Sequence, residues 1–170
     1  NIQQMNTPTN TTPLQQKVIE IATSYIGQKE NPSNWGAFVQ ACLILVGITF
    51  PASWCMAFAY RCHVESAKAL GLPCIVPKTG GCINAWNKAA KKIQRSKLTP
   101  NTFVPGAVYI MDHGGGLGHA FIGISCDATG CITSIEGNAN NDGSRNGDGV
   151  YLLHRRHLDD KELLGCILPV

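Results

Sequence analysis

Charge is scarce in this chain of 170 residues. Only 15% of it is Asp, Glu, Lys or Arg, and the net charge is +3. That excess is too small to direct the chain to nucleic acid or another polyanion. The one dense basic cluster, Lys88, Lys91, Lys92, Arg95 and Lys97, reads as a solvated helix face. Long apolar runs are missing as well. A membrane-spanning helix needs roughly 20 apolar residues in a row, whereas the run from Ala41 to Phe50 is short and broken by Gly47. Neither a membrane span nor a nucleic-acid partner is expected. There is no C-x2-C pair, and the histidines are not spaced to complete a zinc site, so no metal and no cofactor is expected. No signal peptide is visible and the first residue is Asn1, as in a mature or trimmed form.

Cysteine, by contrast, is plentiful. Eight residues, at 42, 55, 62, 74, 82, 126, 131 and 166, are many for a cytosolic enzyme and point to an oxidising compartment, secreted, periplasmic or in the cell envelope. The pairs closing the shortest turn-rich loops are Cys126–Cys131 and then Cys74–Cys82. These are the bridges expected, each contributing about 2–3 kcal/mol by chain entropy.

The chain changes character midway. Residues 1–13 are rich in Asn, Gln, Thr and Pro and read as a flexible tail ahead of one domain at 14–170. Thr12-Pro13 then starts a helix whose apolar face is Leu14, Val18, Ile21, Ala22 and Tyr25. Further helices are expected over 35–46, about 54–70 and 83–93. From Ala107 onward, five short β-rich runs alternate with turns, at 107–111, 120–125, 131–136, 150–154 and 163–168. Helices first and an antiparallel meander after them predict an α+β domain, with helices packed on a sheet of about five to six strands.

The chemistry gathers around Ser53-Trp54-Cys55. Ser53 reads as the N-cap of a helix, which places Cys55 in the first turn, where the helix dipole favours a thiolate. His119, in Gly116-Leu117-Gly118-His119, is the candidate base. Glu136 and Asn138, in Glu136-Gly137-Asn138, are the candidate groups to orient its ring. A nucleophile, a base and an orienter in this order form an amide-cleaving set. The Cys55 backbone amide is one oxyanion donor, with Asn34 or Ser53 as a second. Trp54 or Trp35 would offer an aromatic contact to substrate, although most of the three tryptophans are expected in the core. His113 reads as a solvated loop residue. The run Asn138-x-Asn140-x-Asp142-Gly143 resembles a calcium loop but ends at Gly149 where a bidentate Glu belongs.

These residues resemble the CHAP family, the cysteine- and histidine-dependent amidohydrolases and peptidases of papain-like fold. The likeness includes Gly27-x-x-Glu30, Asn34-x-Gly36, Trp54-Cys55-x-Ala57-Phe58, Pro105-Gly106, Gly118-His119, Glu136-Gly137-Asn138, Gly143-Ser144-Arg145 and Gly147-Asp148-Gly149-Val150-Tyr151. It implies Cys55 as nucleophile, His119 as base and then acid, Glu136 as orienter and Asn138 as a fourth polar residue. The substrate it implies is bacterial peptidoglycan, cut by a monomer either inside the peptide or at the muramoyl-alanine amide. Peptide cleavage is the favoured choice, with Lys78 and Arg145 as candidate grips on stem carboxylates. An antibacterial effector with the same chemistry and a wall-binding module without catalysis are the alternatives.

Overall fold

A computed structural model describes residues 10–142 and 147–170. The tail expected at 1–13 falls mostly outside the described residues, as do Gly143, Ser144 and Arg145. Four helices come first: α1 (Pro13–Ser24), α2 (Ala37–Leu45), α3 (Cys55–Ala69) and α4 (Cys82–Lys88). Six strands follow: β1 (Lys92–Gln94), β2 (Val108–Gly114), β3 (Leu117–Cys126), β4 (Cys131–Ala139), β5 (Gly149–His157) and β6 (Leu163–Ile167). All pairings are antiparallel. The fold is the α+β, papain-like arrangement, with the helices packed against one sheet.

α1 starts as its sequence dictates. Thr12 Oγ1 accepts the Gln15 amide at 3.2 Å, and the Gln15 side chain accepts the Thr12 amide at 2.7 Å. This capping box satisfies two first-turn donors. α3 is the central helix, with ten of its fifteen residues buried. It packs on β3 and β4 on one side and on α1 and α2 on the other, so it is apolar nearly all round. Arg61 of α3 pins these three helices together. Its guanidinium lies 4.6 Å from the Tyr25 ring and 5.0 Å from the Phe38 ring, and its Nε donates to Glu65 at 2.7 Å.

The sheet order is β1-β6-β2-β3-β4-β5. Strands β2 to β5 form the expected meander, but β6 turns back to the far side of β2, pairing Tyr109 with Cys166. This placement buries four of the five residues of β6, which the outer edge would leave half exposed. The helix expected over 83–93 stops at Lys88, because residues 92–94 are drawn into β1 beside β6.

The expected disulfides are absent: all eight thiols are free. In the turn between β3 and β4, Asp127 Oδ1 accepts from the backbone amides of Thr129 and Cys131 at 2.9 and 3.0 Å. The Cys126 and Cys131 thiols turn to the carbonyls of Asp127 and His154. Cys74 turns to the Val76 carbonyl, and Cys82 faces a different cysteine.

Candidate active site

Cys55 is the first residue of α3, preceded by Trp54 at the cap position. Trp54 is fully buried, its ring packed edge-on to Phe38 and Phe58 and its Nε1 donating to Glu30 at 2.9 Å. That hydrogen bond ties the 26–36 loop to the start of α3 and fixes where the cysteine emerges. The expected substrate contact through Trp54 is therefore corrected: the indole is spent on anchoring the helix. Ser53 is corrected too, since the cap position falls on Trp54, one residue later, and no side-chain cap hydrogen bond forms there. Ser53 Oγ instead accepts from Asn138 Nδ2 at 3.4 Å, and both residues line a cleft of about 310 Å³ that also exposes Cys55 and His119. Asn34 does not line this cleft; it bends the 26–36 loop with a φ of 57°, a conformation that asparagine tolerates better than most residues.

Two glycines bring the pieces together. A Cβ on Gly137 would sit 2.6 Å from the Phe58 side chain, so only a bare backbone lets α3 rest on β4 between Glu136 and Asn138. A Cβ on Gly118 would lie 2.5 Å from the Met111 carbonyl and 3.1 Å from Cys82 Cβ. Its absence lets α4 close on β3 one residue before His119.

His119 Nε2 lies 2.7 Å from Glu136 Oε1, which leaves Nδ1 for the contact with Cys55. Glu136 is completely buried, and a buried carboxylate needs partners. It has two besides His119, which make three hydrogen bonds. Ser134 Oγ donates at 2.5 Å, while Arg156 donates from Nε to Oε2 at 2.9 Å and from Nη2 to Oε1 at 2.6 Å. The bidentate arginine clamp sets the plane of the carboxylate and supplies its countercharge.

The protonation pattern follows from these contacts. The Cys55 thiol is held well below its ordinary value by the sulfur of Cys82, by His119 and by the Ala120 backbone, against the opposing effect of burial. Burial works against a charged His119, but Cys55 and Glu136 raise it to about 9. Burial likewise opposes ionisation of Glu136, and His119 and Arg156 overcome it, holding the carboxylate well below its usual range. At neutral pH the row reads thiolate, imidazolium, carboxylate and guanidinium, with alternating signs that sum to zero.

The cleft wall is charged. His113 lies in β2, not in a loop, with Nδ1 2.8 Å from Glu162 Oε2, and it lines the cleft together with Asp160, Arg155 and Arg156. Arg155 donates to the Asn140 carbonyl at 2.8 Å. Lys78 does not line the cleft, and no tryptophan does. Sequence reasoning passed over Arg156 and Cys82. Neither carries a local signal, because Arg156 pairs with Ile132 in the sheet and reaches Glu136 only with its long side chain, and helix packing brings Cys82 to Cys55.

Comparison with known families agrees with this geometry. The model of the CHAP domain matches residues 47–138, which is more than half of the chain and runs from just before α3 to Asn138. No curated protein matches the chain.

Proposed function

The chain belongs to the CHAP family of amidase- and peptidase-type hydrolases, and we propose that it cuts amide bonds in bacterial peptidoglycan, within the peptide, outside the cytoplasm. The observation that carries this reading is the row Cys55–His119–Glu136, whose cysteine and histidine line the cleft while its carboxylate is completely buried. The Cys55 thiolate attacks the amide carbonyl. The amide of Cys55, which as the first of α3 has no partner within the helix, stabilises the oxyanion. His119, already protonated, gives its proton to the leaving amine, and the neutral ring then draws a proton from water to release the acyl group. Glu136 holds the ring and does not exchange protons. Asn138, tethered to Ser53, braces the cleft floor beside the thiolate.

The cleft lining supports peptide over sugar. Arginines, acids and two histidines line it, without the aromatic plate that a saccharide face favours. Purified sacculi digested with the protein and analysed by mass spectrometry test the reading. New free amino groups are expected, on products whose sugar and peptide remain joined. Glycans stripped of peptide would overturn the choice of bond. Cys55→Ala and His119→Ala are each expected to abolish hydrolysis, and a Cys55→Ala protein that keeps most activity would overturn the mechanism.

A further inference from the structure

Hydrolysis needs one thiol, yet two lie at the site. Cys82, the first residue of α4, places its Sγ 3.6 Å from Cys55 Sγ. The approach is built in, since Gly118 leaves the space into which Cys82 leans. A disulfide is about 2.05 Å long, so the sulfurs need close by only ~1.5 Å. Both thiols are buried, but Cys55 lines the cleft, where a small molecule reaches it, whereas Cys82 does not. The Cys55 sulfur also sits against His119, which keeps it in its reactive, ionised form. A cleft-lining thiolate with a second thiol beside it is the arrangement that peroxide-sensing cysteines use.

We propose that Cys82 is the resolving thiol of a reversible switch, by which hydroperoxides lock the Cys55 site as a Cys55–Cys82 disulfide. The inference rests on Cys55 being the thiolate of the site. In the first step Cys55 sulfur attacks the peroxide oxygen, the O–O bond breaks, and Cys55 becomes a sulfenic acid. The departing oxygen takes the proton held by His119 and leaves as water or an alcohol. In the second step Cys82 sulfur attacks Cys55 sulfur, the S–O bond breaks, and the hydroxide leaves as water with the Cys82 proton. Two thiols lose two electrons in all, and one peroxide gains them. A dithiol reductant returns both sulfurs to thiols by exchange.

The test uses the whole protein, hydrogen peroxide and peptide mapping without reduction. The expected product is a Cys55 peptide linked to a Cys82 peptide, about 2 Da lighter than the two separate thiol peptides. Loss of hydrolysis should parallel the link, and dithiothreitol should restore it. In Cys82→Ser and Cys82→Ala proteins, Cys55 is expected to run on to acids about 32 or 48 Da heavier, and dithiothreitol should no longer rescue activity relative to each variant's own untreated rate. The switch is overturned if wild-type protein is inactivated without the link, or if the variants recover as fully as wild type. The link is read by mass, apart from activity. Its absence sinks the switch, whereas a Cys55→Ala protein that still hydrolyses sacculi sinks the reading of the site.

Discussion

Arg156 shows how much of a cysteine hydrolase lies beyond its cysteine. The guanidinium is the countercharge of a fully buried carboxylate and grips both its oxygens. Removing one partner of such a pair leaves a charge that the interior cannot solvate, at a cost of about 3–5 kcal/mol. Arg156→Met is therefore expected to lower stability by that order in urea titrations, and to reduce kcat/KM as the carboxylate loses the fork that sets its plane under His119. Arg156→Lys keeps the charge but not the fork, and should recover only part of each. In the wild-type protein, kcat/KM is expected to fall above pH about 9, where His119 gives up the proton that the leaving amine needs. A flat profile through pH 10 would contradict the imidazolium.

At the scale of elements, α3 and β4 carry the site, and Gly137 sets the distance between them. Gly137→Ala forces a methyl group into the Phe58 ring. It is expected to cost about 1–3 kcal/mol, measured by denaturant unfolding, and to reduce activity by lifting α3 from the strand that holds Glu136. The elements themselves were largely legible in the sequence. Thr12-Pro13 marked a helix start, alternating runs after Ala107 marked strands, and strand ends placed His119 and Glu136 near one another. Ser53 misled because the buried indole of Trp54, not a cap hydrogen bond, positions the start of α3. The short β1 was hidden because three residues beside lysines become a strand only when β6 arrives to pair with them. Cys82 was assigned to Cys74 on loop length, a one-dimensional measure blind to the gap that Gly118 opens.

At the scale of the molecule, the response to acid rests on a histidine far from the chemistry. His63 is buried on α3, its Nε2 lacks a partner, and burial depresses its pKa from about 6.5 to about 4. Below pH 6.5 the unfolded chain takes a proton that the folded chain refuses. Stability therefore falls as the pH drops from 6.5 to 4, by up to about 3 kcal/mol. Thermal melts should thus decline as the pH drops below 6.5, and His63→Leu should flatten the decline between pH 6.5 and 4.5.

The place of β6 gives the domain a timetable. β6 lies inside the sheet, beside β2, and the arginine clamp comes only from β5. A nascent chain displays Cys55 early and reaches His119 and Glu136 later, but it cannot seat the carboxylate until β5 emerges, nor close the sheet until β6 follows. A domain grown only as far as β4 therefore carries all three residues of the row without the countercharge that holds them in line.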